Sequence, residues 1–269
     1  MAISNIQSSP VPPLAASQSS PLVMRIIGAV ALAHLINDLI QAVLPSIYPM
    51  LKANYGLTFT QVGLITLTFQ ITASLLQPWV GYYTDRHPNP LLLPAGAICT
   101  LVGIVMLSMV GSFPLILLAS ALIGVGSSTF HPEASRIARL ASGGRFGLAQ
   151  STFQVGGNAG SAFGPLLAAA IIIPFGQGNV AWFGLFAVFA IGLLYAISRW
   201  YRAHLNLFKL KAGQQATHGL SKKRVTGALM VLGFLVFSKY FYMASFTSYF
   251  TFYLIQKFDL SVASSQLHL

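Results

Sequence analysis

Seven long apolar runs divide this chain, near residues 25–47, 59–83, 91–110, 113–130, 148–173, 180–197 and 225–255. Each is long enough to cross a bilayer as a helix, which takes roughly 20 apolar residues. The fourth is read as running on towards residue 140. Polar positions inside the runs recur at helical spacing. In the first, His34, Asn37, Asp38 and Gln41 fall within an arc of roughly 100°. The second carries Gln70 and Gln77, and the fifth carries Gln150, Gln154 and Asn158 on one stripe. A polar stripe facing lipid is costly, so these stripes are expected to face other helices or a watery cavity. The pattern predicts an all-α membrane protein.

Composition agrees. Charged residues make up 7% of the chain and hydrophobic residues 55%, against about 25% charge in a soluble domain. The net charge of +11 raises the question of nucleic acid, but its distribution excludes that partner. With the N-terminus in the cytoplasm, the cytoplasmic segments hold Arg25, Arg86, Arg136, Arg139, Arg145, Arg199, Arg202, Lys209, Lys211, Lys222, Lys223 and Arg224. The opposite side holds Lys52 and Lys257, and Lys239 lies within the seventh run. That asymmetry is the one that sets membrane topology. The single cysteine, Cys99, permits no intrachain disulfide and fits no metal spacing, and nothing in the sequence calls for a metal or a cofactor.

Residues 1–21 read as a disordered cytoplasmic tail with no signal peptide. Residues 22–198 form a six-span block, 199–224 a long basic cytoplasmic loop, and 225–269 the start of a second block. Six spans, a basic loop and a new span are the arrangement of a two-halved transporter. The chain stops at Leu269 as though opening an eighth span. The expectation is a truncated transporter with an incomplete C-terminal half, since twelve spans need on the order of 400 residues.

Two of the four acidic residues lie in or beside apolar runs. Asp38 follows His34 by four residues, and Glu133 follows His131 by two. A carboxylate in hydrocarbon costs several kcal/mol unless paired or solvated, and histidine titrates near neutrality. His34, Asp38, His131 and Glu133 are therefore proton-coupling candidates. Glu133 and Arg136, three apart, also suit an ion pair at the end of the fourth span. Lys239 reads as a buried cation able to bind an anion. A lysine in the last of seven spans also suits a retinal protein, but the third span has no Asp or Glu as counter-ion.

Two motifs carry a resemblance. Gly81-Tyr82-Tyr83-Thr84-Asp85-Arg86, between the second and third runs, is similar to the first half of the signature loop of the major facilitator superfamily; its continuation, His87-Pro88-Asn89-Pro90, departs from the usual basic one. Gly160-x-x-x-Gly164-Pro165 resembles the antiporter motif of that superfamily, and Gly156, Gly160 and Gly164 recur every four residues. Residues 67–78, 126–136 and 141–165 resemble the fosmidomycin-resistance branch of it. The resemblance implies a six-helix N-terminal bundle plus a seventh helix, with Gly81, Asp85, Arg86, Gly160, Gly164 and Pro165 as gating or conformational residues. It implies a multi-pass exporter of the bacterial inner membrane, monomeric when full length. Such an exporter trades a small anionic antibiotic for protons by alternating access and is not an enzyme. Asn37, Gln41, Gln70, Arg136, Gln150, Gln154, Asn158 and Lys239 are the substrate-binding candidates, with Arg136 and Lys239 offsetting substrate charge. The rival expectations are a fragment that inserts but does not transport, and a carrier of the same superfamily for another small organic solute.

Overall fold

The computed structural model describes residues 22–212 and 221–268. Among the described residues the regular structure is helical, and seven helical segments are long and apolar enough to cross a membrane. They are span 1 (Met24–Ser46), span 2 (Phe59–Arg86), span 3 (Leu92–Met109), span 4 (Phe113–Ala141), span 5 (Phe146–Phe175), span 6 (Gln177–Leu205) and span 7 (Lys222–Phe258). The expected tail, 1–21, and residues 213–220 of the basic connection lie outside the described residues.

Local chemistry explains most of the breaks. Span 1 carries Pro45 inside its last turn, and a short helix, Tyr48–Tyr55, follows before Gly56 turns the chain at φ 59°. Thr58 and Gln61 then cap the start of span 2 reciprocally, satisfying backbone donors that a helix start leaves open. Span 4 runs unbroken through Pro132 to Ala141. The helix of span 6 continues to Ala212, so the first part of the basic connection is helical rather than loop.

Two spans contain a wider π turn, at Ile71–Leu75 and Ala168–Ile172. The first lies against Gly124, where an added Cβ would stand 2.0 Å from Thr72 Oγ1 and 2.8 Å from the Phe69 carbonyl oxygen.

Spans 1 and 5 pack most closely, followed by spans 3 and 4; span 6 covers spans 1 and 3, and span 2 lies along span 4. The termini of the spans alternate between two ends. At the basic end, Val23 N–H donates to the Ala141 carbonyl at 2.9 Å, tying span 1 to span 4. At the far end, Tyr55 hydroxyl meets Val110 O at 2.5 Å and Gln177 Oε1 at 2.7 Å, joining three connections.

The core falls into two clusters. One, with Ile27, Ala33, Phe130, Phe153 and Tyr201, fills the basic-end half; the other, with Ile36, Leu39, Tyr48, Ile123 and Phe183, fills the far half. Span 7 rests on the bundle only near the far end. Ser248, Thr251, Phe252 and Leu254 are its buried residues. Thr66 Oγ1 lies 3.1 Å from Ser248 Oγ and donates to Tyr48 hydroxyl at 2.9 Å. Beyond it, Gln266 donates to the Ser46 carbonyl at 2.7 Å.

Candidate functional site

The polar arc of span 1 lies where the two core clusters meet, and span 4 brings His131 to it. His34 Nε2 is 3.2 Å from Asp38 Oδ2, and His131 Nε2 is 3.5 Å from Asp38 Oδ1. The ligand atoms of His34, Asp38 and His131 lie within 4.8 Å of one another, close enough for the charge on any one to act on the other two. Asn37 Nδ2 and Gln41 Nε2 donate to Asp38 Oδ1 at 3.0 and 3.4 Å. Ser127 hydroxyl donates to Gln41 Oε1 at 3.1 Å. His34 is stacked on Phe153 at 3.9 Å between ring centroids and donates from Nδ1 to the Phe153 carbonyl at 2.7 Å.

The glycines of span 5 make this possible. A Cβ on Gly156 would stand 2.1 Å from the Ala31 carbonyl oxygen, and one on Gly160 2.1 Å from that of Leu35. One on Gly164 would stand 2.9 Å from the Leu39 carbonyl oxygen. Small residues at one-turn spacing let two membrane helices touch backbone to backbone. Gly157 lies directly over the site, since a Cβ there would be 2.4 Å from His34 Cε1 and 2.9 Å from Asp38 Oδ2.

A second polar joint sits at the basic end. Arg136 of span 4 is ion-paired to Asp85 at the end of span 2 and to Glu133 one turn back on its own helix. It also donates to Thr84 Oγ1 at 3.1 Å. Glu133 is fully buried, and its Oε2 has no hydrogen-bond partner among the described residues. Tyr201 of span 6, buried as well, lies within electrostatic reach of Glu133 and Arg136. Gly81 packs at van der Waals distance on Pro132, 3.7 Å from a notional Cβ.

The expected residues therefore divide. His34, Asn37, Asp38, Gln41 and His131 converge. Glu133 turns to Arg136 instead of the triad, and the Arg136 guanidinium is paired with both Glu133 and Asp85. Arg86 stacks on its own Tyr82 at 3.6 Å. Gln70 is half-buried and accepts from Ser74 at 3.1 Å. Gln150, Gln154 and Asn158 form an exposed stripe, the last two 3.4 Å apart. Lys239 is not buried: it is exposed on span 7, 5.4 Å from the Tyr240 ring centroid, because that helix leans on the bundle only further along.

Sequence reasoning missed Ser127, Thr84, Tyr201 and the Phe153 carbonyl. Helical spacing could have found Ser127, one turn before His131. One depression among the described residues, about 940 Å³, holds none of this chemistry; it is an apolar groove lined by Leu32, Ile36, Phe175, Trp182 and Phe186.

The family model described as Major Facilitator Superfamily matches residues 30–268. The Fosmidomycin resistance protein of Escherichia coli (strain K12) is 58% identical over 244 residues, covering 91% of this chain and 60% of that protein. An uncharacterized MFS-type transporter of Bacillus subtilis (strain 168), YfnC, is 38% identical over 243 residues, covering 89% of this chain and 59% of that one. The chain thus spans about 60% of the length of these curated relatives. A solved bacterial homolog of the human lysosomal transporter Spinster, in an inward-facing and occupied conformation, superposes with a TM-score of 0.65 at 17% identity. That match covers 93% of this chain and 58% of the other, and it concerns the fold alone.

Proposed function

The chain belongs to the major facilitator superfamily, a family of membrane transporters rather than enzymes, and from that premise we propose that it forms the N-terminal bundle of a proton-coupled exporter. The substrate class is a small anionic antibiotic such as fosmidomycin, and the 58% identical relative carries that name. The carrier works by alternating access in the bacterial inner membrane, with the N-terminus and the basic end in the cytoplasm and one copy as the working unit. The Lys and Arg distribution supports that orientation.

The observation that carries the coupling is the convergence of two histidines on one carboxylate at the level of the membrane core. A carboxylate there is costly when charged and alone. Taking up a proton is the least expensive way to change its charge, so the triad can trade protons between the two sides as the bundle rocks. Asp85, Arg136 and Glu133 serve as a joint between spans 2 and 4 that sets the conformation of the basic end. The exposed Gln150, Gln154 and Asn158 stripe supplies neutral hydrogen bonds towards the solute path.

The test uses this chain completed with the remaining spans of its Escherichia coli relative, in everted vesicles with an imposed pH gradient. Asp38→Asn is expected to abolish gradient-driven fosmidomycin movement while inserting normally. Transport at the parent rate by that variant overturns the coupling. A second reading follows from the span of about 60% of the relatives: alone, the chain inserts without transporting. Antibiotic resistance conferred by the 269-residue chain itself would sink that second reading.

A further inference from the structure

Hydrogen-bond bookkeeping in the triad separates a stored proton from an exchanged one, an assignment that rests on the proton-coupling reading above. A main-chain carbonyl oxygen only accepts. His34 Nδ1, 2.7 Å from the Phe153 carbonyl, and His131 Nδ1, 3.1 Å from the Ser127 carbonyl, therefore both carry hydrogen. Ser127 hydroxyl spends its own hydrogen on Gln41 Oε1, so towards His131 Nδ1, at 3.4 Å, it too can only accept. Both rings are thus held in one tautomer, with Nε2 turned to Asp38. Each Nε2 bears a hydrogen only when its ring is an imidazolium.

The two carboxylate oxygens differ. Oδ1 already receives amide hydrogens from Asn37 at 3.0 Å and Gln41 at 3.4 Å. Oδ2 faces His34 Nε2 at 3.2 Å. Without a proton in that gap, two lone pairs would oppose each other in a buried site. The gap is also sheltered: the His34 side chain is 3% exposed and that of Asp38 18%, and the backbone of Gly157 lies over it. His131 differs in both respects. It stands 3.5 Å from Oδ1, and its side chain is 27% exposed.

We propose that the His34 Nε2–Asp38 Oδ2 gap holds a resident proton, and that His131 Nε2 is the atom that takes up and releases the exchanged one. In the unloaded state the His34–Asp38 pair is neutral overall and His131 is uncharged. Loading transfers one proton from water to His131 Nε2, which then donates to Asp38 Oδ1, and the triad gains one positive charge. The Phe153 and Ser127 carbonyls are positioning groups, because they fix which ring nitrogen faces the carboxylate. The groups around His131 are Asp38 and His34 of span 1, and Glu133 and Arg136 on its own helix. Arg136 is itself tied to Asp85 of span 2 and lies within reach of Tyr201 of span 6. Span 5 presents the Phe153 carbonyl to His34.

The experiment is nitrogen-15 NMR of histidine-labelled 269-residue chain in lipid nanodiscs between about pH 5 and 8, the range in which an ordinary imidazole titrates. His34→Gln and His131→Gln assign the resonances. If either variant fails to fold, transfer from labelled Phe153 carbonyl carbon to the His34 ring assigns the parent spectrum. The expected result is that His131 passes from the neutral Nδ1–H tautomer to imidazolium while His34 keeps one signal throughout. A titrating His34, a static His131, or a neutral Nε2–H tautomer on either ring overturns the assignment. A chain that gives the expected spectrum, yet drives no proton-linked efflux when completed, keeps the assignment and sinks the coupling reading.

Discussion

Replacing Gly160 with alanine asks whether the contact between spans 1 and 5 is what holds the triad together. The added Cβ would stand 2.1 Å from the Leu35 carbonyl oxygen, 2.9 Å from its carbon and 2.9 Å from the Leu39 nitrogen. All three are main-chain atoms of a helix, so no side-chain rotation relieves the overlap. Carbon approaches a carbonyl oxygen to about 3.3–3.6 Å, so the helices must part by roughly 1.2–1.5 Å at that level. Parting weakens the backbone contacts at Gly156, Gly160 and Gly164, each worth about 0.5–1 kcal/mol. Overpacking strain is of similar size, about 1–3 kcal/mol, and the expected loss is about 2–3 kcal/mol. His34 should follow, because its 2.7 Å bond to the Phe153 carbonyl crosses the same helix pair. Lengthened by more than 1 Å, that bond is gone.

The assay is SDS-titrated unfolding in mixed micelles, followed by tryptophan fluorescence, with the His34 nitrogen resonance as the local reporter. Gly28→Ala is the control, since nothing lies within 4 Å of its notional Cβ. It should leave stability unchanged or raise it by up to about 1 kcal/mol through helix propensity. A Gly160→Ala chain that unfolds with the Gly28 control and keeps the parental His34 signal would refute the reasoning.

Arg136→Ala strands the fully buried Glu133 carboxylate, and breaking a buried pair from one side costs about 3–5 kcal/mol. The yield of folded chain in membranes should collapse, and adding Glu133→Gln should recover most of it; an undiminished yield for the single variant contradicts the joint. Lys239→Gln removes an exposed cation of span 7, so the unfolding midpoint of the 269-residue chain should hold within about 0.5 kcal/mol, and a larger drop would mean that this lysine has a structural partner.

Hydropathy alone marked out the seven spans, because membrane crossing demands a continuous apolar run and little else satisfies that demand. The interruptions did not show in the hydropathy: the π turns at Ile71–Leu75 and Ala168–Ile172 lie inside runs that stay apolar throughout. The polar arc of span 1 was legible because its members share one helix face. That His131 reaches Asp38 while Glu133 turns away to Arg136 was not, since both outcomes fit the same i, i+2 spacing. The decisive partners of the two histidines are the Phe153 and Ser127 carbonyls, and a backbone acceptor leaves no mark on a sequence. Lys239 misled for a related reason. A charge deep in an apolar run signals a buried function only when the helix is enclosed along that length.

The attachment of span 7 has a mechanical consequence. From Ser248 back to Lys222 the helix is about 39 Å of rigid rod, at 1.5 Å per residue. Its fulcrum lies among the hydroxyls of Thr66, Tyr48 and Ser248. Tilting it there by about 10° sweeps the basic end through roughly 7 Å, the arc of a rod of that length, a displacement wider than a one-turn shift. A tilt about those far-end hydroxyls would thus appear at the basic end multiplied by the length of the rod.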